Sequence, residues 1–298
     1  MVLPSLDTLR GFVAAARLLN FGQAARSVAL TPAAFGQRIK QLEEQVGAPL
    51  FSRTTRSVRL TEAGMALLPH AERCLATAEE GMRAARGHTG PTPMELTLGT
   101  RQELGVSWLL PQLESLATER PWLQLHVYFG SGSDLLLRVR TLEIDAAITS
   151  TRFSDPKLDA IRLHTEAYAF VGAAKLLRKS ALRRDADASR HTMLDASADL
   201  PLFRYWRDAK GGGDRLRFGR YTYLGSIAAI HHRVLEGAGV AVLPEYLVRK
   251  DLAAGRLVPV FPRVPLLDDY FRFVFRRDDP RRAVFESLAA SLLEAPLT

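Results

Sequence analysis

AARSVALTPAAFGQRIKQLEEQVGAPLFSRTTRSVRLTEAG, residues 24–64, carries the signals that decide the fold. Near its centre, Thr31-Pro32 sets a cap residue before a proline at the first helical position, where a missing N–H is harmless. From there Phe35, Ile39, Leu42 and Val46 recur at helical spacing and predict one buried stripe. Ala33, Gly36, Gln37 and Lys40 fall on the other face, which carries no acid. Upstream, a short alanine-rich helix is predicted over Gly22–Ala29, with Asn20 as its cap and Gln23 reaching back to complete a capping box. A first helix precedes it, with Leu6, Leu9, Phe12, Val13, Ala16 and Leu19 as its buried stripe.

Two short helices joined by a tight turn, the second capped and polar outside, form a helix-turn-helix. In that motif the second helix enters the major groove N-terminus first. Thr31, Pro32, Ala33, Gly36 and Gln37 are therefore expected at base edges, and Lys40 near phosphate. Asn20 and Gln23, at the start of the preceding helix, complete that DNA-facing set. Downstream, Leu50, Phe51, Val58 and Leu60 anchor two short strands, while Arg53, Arg56 and Arg59 ride on the hairpin and its flanks. This is a wing, suited to phosphate or the minor groove. Residues 1–60 hold eight basic side chains against three acidic ones, so more than half of the formal charge of +8 sits in a fifth of the chain. The competing reading is a plain three-helix unit with a solvated basic surface.

The same run resembles the winged helix-turn-helix of LysR-type transcriptional regulators. The likeness covers nearly all of residues 5–64, because the helix-turn-helix, the LE…G…LF.R turn and the LT.AG start of the next helix stand in register. The family has a serine where this chain has Gly36, and usually an aliphatic residue where Phe35 stands. Glycine there costs helix stability, about 1 kcal/mol relative to alanine. The resemblance implies a sequence-specific regulator that binds double-stranded DNA at a pseudo-palindromic operator and alters polymerase recruitment.

Thr61 is expected to cap a helix running to about Arg86. Within it Ala71, Leu75, Ala78, Met82 and Ala85 alternate spacings of four and three, a short heptad seam. A helix this long with little to cover it is expected to pack against a second copy; folding back on its own chain is the alternative. The resemblance favours a homodimer and a dimer of dimers.

Beyond the breaker His88-Thr89-Gly90-Pro91-Thr92-Pro93, strand-like runs alternate with amphipathic segments and predict an α/β unit with a mostly parallel sheet. Leu96–Thr100, Leu123–Phe129 and Ile144–Ile148 are the first strands, each followed by small polar residues where open α/β sheets gather ligands. The order of LEIDAAI and GAGVAVLP resembles the effector domain of the same regulators, itself similar to periplasmic solute-binding proteins. The expected organisation is an α+β multidomain chain: a winged helix-turn-helix over 1–60, a linker helix over 61–88, a hinge over 89–93 and a two-lobed α/β effector domain over 94–298. Lobe I would take about 94–165 and 265–298, and lobe II about 166–264. The implied cleft nominates Thr100, Arg101, Gln102, Ser131, Ser133, Thr149, Ser150, Asp195, Ser197 and Ser226 for a small-molecule effector, with helix N-termini favouring an anion. Arg101 either pairs a ligand carboxylate or sits exposed on a loop, and each serine taken alone is as well a helix cap. Arg204 either lines the cleft or covers sheet surface.

Cys74 is the sole cysteine, which excludes an intrachain disulfide and multi-cysteine zinc, and is expected to be packed. His231-His232 point to different sides of a helix, so no metal is expected. The chain has no Walker motif, no GxSxG and no complete dinucleotide fingerprint, and no cofactor or catalytic cluster is expected. With no signal-peptide pattern and no apolar run near twenty residues, a cytoplasmic protein that does not engage membranes is expected. The rival readings are a solute-binding protein or an enzyme reusing the two-lobed fold.

Overall fold

The computed structural model describes residues 3–53, 58–87 and 90–297. The N-terminal unit is α1 (Leu6–Leu18), α2 (Phe21–Ser27), α3 (Pro32–Val46), the antiparallel pair β1 (Phe51–Arg53) and β2 (Val58–Leu60), and the long α4 (Glu62–Ala85). Every helix here starts at a side chain that accepts a first-turn N–H: Ser5, Asn20, Thr31 and Thr61. Phe12, Phe35 and Phe51 are buried at the centre, with Phe21 edge-on to Phe35 and Phe51 at 5.5 and 5.2 Å. Gly64 is required by contact: a Cβ there would lie 2.2 Å from the Leu50 carbonyl oxygen.

The predicted stripes overreach at their ends. Leu6, Leu19 and Val46 are exposed, because the helix termini overhang the small core. Leu19 and Ala29 adopt left-handed φ values of 46° and 56°, so α2 stops at Ser27, short of the predicted Ala29. On α4, Ala71 is buried in the N-terminal core and Leu75 packs against it, whereas Met82 and Ala85 face outward. Among the described residues, only the second half of the seam is left without a packing partner. Cys74, expected to be packed, is exposed.

The remainder runs β3 (Met94–Thr100), α5 (Gln102–Leu104), a π-helical turn over Gly105–Leu109, α6 (Leu110–Glu119), β4 (Leu123–Phe129), α7 (Gly132–Arg140), β5 (Ala146–Thr149) and β6 (Leu158–Glu166). Then come β7 (Tyr168–Ala173), α8 (Ala174–Lys179), β8 (Thr192–Asp195), α9 (Arg204–Arg207), β9 (Arg220–Tyr223), α10 (Ile227–Leu235), β10 (Val240–Pro244), α11 (Glu245–Ala253), β11 (Leu257–Pro259), β12 (Asp269–Arg276) and α12 (Arg282–Glu294). Two five-stranded sheets result, ordered β4-β3-β5-β12-β6 and β11-β7-β10-β8-β9. The chain leaves the first sheet at Ala167, between β6 and β7, and re-enters it at β12. Two lobes joined by two crossings follow.

The sheets are mixed, which corrects the expectation of a mostly parallel one. β12 runs antiparallel to both β5 and β6, and β7 antiparallel to both β10 and β11. A strand returning from the other lobe enters from the opposite end, so its direction reverses.

Candidate DNA-binding surface and effector cleft

The α3 surface is built by its cap. Thr31 Oγ1 accepts the Ala34 N–H at 3.3 Å, and α3 has no acid in its first turn. Thr31, Pro32, Ala33 and Gln37 are exposed and Gly36 is half-buried, with open space where a Cβ would stand. Lys40 is exposed, but its Nζ lies 3.7 Å from Glu44 Oε1, so the acid-free stretch ends there. Asn20 Oδ1 accepts the Gln23 N–H at 3.0 Å. The reciprocal bond from the Gln23 side chain is absent among the described residues, so the cap is one-sided and the expected capping box does not form.

The wing is pinned to α3 from below. Glu43 Oε1 accepts the N–H groups of Leu50 and Phe51 at 2.8 and 3.2 Å, while its Oε2 lies 3.5 Å from Arg53 Nη2. The Arg53 guanidinium also covers the Phe21 ring at 4.2 Å. Arg53 therefore braces the wing, though its side chain is still 42% exposed. Arg59 is exposed on β2. Arg56 lies outside the described residues.

In the two-lobed part, β3 pairs in parallel with β4 and β5, setting Thr100 opposite Phe129 and Ile148. That register brings Thr100–Gln102, Ser131–Ser133 and Thr149–Ser150 to one edge of the first sheet. In the other lobe β8 and β9 end side by side, and the Gly225 N–H donates to the Ala196 carbonyl. Ser197 and Ser226 are thus neighbours at the facing edge.

Several nominees are already committed inside the fold. Ser226 Oγ accepts the Ala229 N–H and Ser131 Oγ the Asp134 N–H, each at 3.4 Å, as helix caps. Ser197 Oγ donates to Asp199 Oδ1 at 2.6 Å. Thr149 Oγ1 accepts the Thr151 N–H at 3.1 Å, and the buried Ser150 offers its carbonyl to Arg272. Asp195 is fully buried and accepts from the N–H groups of Ala196, Leu202 and Phe203. Burial pushes its carboxyl above the usual range, against the pull of those three donors. Arg204 is exposed, beside the Tyr205 ring.

Arg101 is neither exposed nor free. It pairs with Glu166 Oε1 at 2.5 Å, with side chains 15% and 0% exposed, and its guanidinium lies 5.5 Å from the Phe271 ring centre. Burial is the largest influence and works against its charge, but Glu166, Tyr246 and Tyr168 together hold the guanidinium above its usual pKa. Burial likewise pushes the neighbouring phenols of Tyr246 and Tyr168 upward. Thr100 Oγ1, Arg101 Nε, Glu166 Oε2 and Tyr246 OH are buried without a hydrogen-bond partner among the described residues. Asp269 holds the second crossing, receiving Tyr205 OH, Arg152 Nε and Arg272 Nη2 at 3.3, 3.3 and 3.1 Å.

Sequence reasoning missed Glu103, Glu166, Tyr246 and Asp269, since much of what surrounds each comes from distant parts of the chain. Glu103 Oε1 accepts the Ala228 N–H of the other lobe at 3.0 Å. His231 and His232 each face a separate acid, Asp251 at 2.7 Å and Glu236 at 3.3 Å. Among the described residues no three His, Cys, Asp or Glu side chains cluster as metal ligands, and no helix is long and apolar enough to cross a membrane.

Two family models account for almost the whole chain. Residues 6–65 match the bacterial regulatory helix-turn-helix protein, lysR family, and residues 89–296 match the LysR substrate binding domain. The glycine cleavage system transcriptional activator of Escherichia coli K12 is 28% identical over 273 residues, 91% of this chain and 87% of the relative. The HTH-type transcriptional regulator TrpI of Pseudomonas aeruginosa is 30% identical over 266 residues, 86% of this chain and 85% of the relative. The solved structure of ArgP from Mycobacterium tuberculosis shares the fold, with a TM-score of 0.76, 23% identity and 98% of each chain covered. A capped helix whose first half carries no acid, set beside a wing, and a two-lobed domain thus stand in a chain that belongs to the LysR family of transcriptional regulators.

Proposed function

We propose that this regulator reads base edges with Thr31, Pro32, Ala33, Gly36 and Gln37, aided by Asn20 and Gln23, while Lys40, Arg53, Arg56 and Arg59 hold phosphate. The single observation behind this reading is the exposed, acid-free first half of α3 next to the wing strands. Residues 1–60 form the DNA-binding domain, 61–88 the linker, 89–93 the hinge and 94–298 the effector domain. The chain works as a homodimer and a dimer of dimers on a pseudo-palindromic site, since a two-fold protein matches a two-fold operator. Supporting this is a hollow of about 510 Å³ between the start of α1 and the end of α4, lined by Leu6, Leu75, Ala78 and Met82 together with the charged Arg10, Glu79, Arg83 and Arg86.

A small anionic effector binds between the lobes near Thr100, Arg101 and Ser226. It shifts the arrangement of the DNA-binding domains to the extent that it prefers one arrangement, and so alters RNA polymerase recruitment. The protein acts in the cytoplasm and turns nothing over. The test is a footprint of the full chain on the DNA upstream of its own gene, at moderate salt with random competitor. Two protected half-sites whose pattern changes with some metabolite are expected. Equal binding to the competitor would sink the reading.

A further inference from the structure

α10 begins without an acidic residue in its first turn. Its own cap, Ser226, makes only a long bond of 3.4 Å to Ala229. The charge that complements this helix end comes from the other lobe, 125 residues earlier in the chain: Glu103 Oε1 accepts the Ala228 N–H at 3.0 Å. A carboxylate at a helix N-terminus gains both a charge-assisted hydrogen bond and the favourable end of the helix dipole. Glu103 itself stands firmly on lobe I, where Ser107 Oγ donates to its backbone carbonyl at 2.7 Å.

We propose that Glu103 is an interlobe latch: its carboxylate occupies the N-terminus of α10 and ties the two lobes together across the cleft. This rests on reading the cleft as the effector site. Two further observations bear on the latch. Arg101, two residues away, is tied to Glu166 at the lobe crossing, so α5 starts from a fixed point and Glu103 reaches across from it. Thr100, fully buried at the end of β3, keeps an unpartnered Oγ1 at the same edge. A ligand that opens the latch must therefore outcompete a tethered carboxylate, and an anion is the class equipped to do so. Because the latch is intramolecular, weak anions at low concentration leave it shut, and the regulator responds only to ligands that gain contacts elsewhere in the cleft.

The test uses the full chain with Cys74→Ser and spin labels at Leu137 and Lys210, exposed positions on the two lobes. In Glu103→Ala the interlobe distance distribution should broaden. Amide exchange in the first turn of α10 should rise about tenfold, the change that ~1.4 kcal/mol produces. Sodium acetate at tens of millimolar, a free carboxylate, should restore the α10 protection in that variant, and sodium chloride at equal ionic strength should not. Glu103→Gln, which keeps the shape and so the fold, should fall between wild type and Glu103→Ala. Distances and exchange in both variants that superimpose on wild type would overturn the latch, as would rescue by chloride equal to that by acetate. Neither measurement involves DNA or an effector. A failed latch therefore leaves the DNA-binding reading standing, and a failed footprint leaves the latch measurable.

Discussion

The α3 surface and the lobe crossing both carry arginine or lysine beside glutamate, yet the two settings are opposite. Lys40 and Glu44 are 68% and 62% exposed, and the Arg53–Glu43 pair spans 3.5 Å at the surface. Arg101 and Glu166 lie at 2.5 Å with almost no exposure. Water and salt weaken the first kind, so a cation there exchanges its partner for a phosphate at little cost. The second kind is hard to undo, because removing one partner strands the other charge without solvent. A surface that must change partners is built from loose pairs. A pivot that must keep its geometry is built from a tight one.

Six variants break or sharpen this contrast. Glu166→Ala should be the most damaging, lowering effector-domain stability by about 3–5 kcal/mol because it leaves Arg101 buried and unpaired. Calorimetry resolving the two domains should show that loss in the effector transition alone; an unmoved transition would mean that the pair is solvated. Next, Arg59→Ala should weaken binding to all duplexes and lower the slope of log affinity against log salt by about 0.9 for the lost phosphate. Arg53→Ala should do the same and also loosen the wing, since Phe21 and Glu43 lose their contact. Identical salt slopes for wild type and both variants would remove the wing from DNA binding.

The helix itself offers two smaller effects of opposite sign. Thr31→Ala removes the acceptor for Ala34 and should destabilise the N-terminal unit by about 1 kcal/mol in urea titrations. Gly36→Ala meets nothing within 4 Å and should stabilise it by up to about 1 kcal/mol. A destabilising Gly36→Ala would show that α3 needs the glycine for something other than space. Smallest of all, Glu44→Gln should shift stability by no more than a few tenths of a kcal/mol, the scale of an exposed i,i+4 pair.

Much of the N-terminal unit was legible because its signals are local. Asn20, Thr31 and Thr61 can be read as caps from the residues that follow them, and Phe12, Phe35 and Ile39 as core from their period. The errors there are also local: Leu6, Leu19 and Val46 fit the period but lie beyond the reach of a small core. The cleft was legible only as an edge. Strand ends at Thr100, Phe129 and Thr149 could be placed, but the nominated Asp195 proved to be a turn-holder, and Ser131 and Ser226 caps.

By itself the sequence determined the helix-turn-helix, the wing and the linker helix, because caps, periodicity and glycine positions act over a few residues, while the two lobes were implied by the family resemblance. Only the tertiary structure decided that the sheets are mixed, that Arg101 is spent on Glu166, and that Glu103 reaches α10. Those pairings join residues 65 and 125 positions apart. No local pattern encodes a partner that distant; it is chosen when the lobes pack and bring the two groups together.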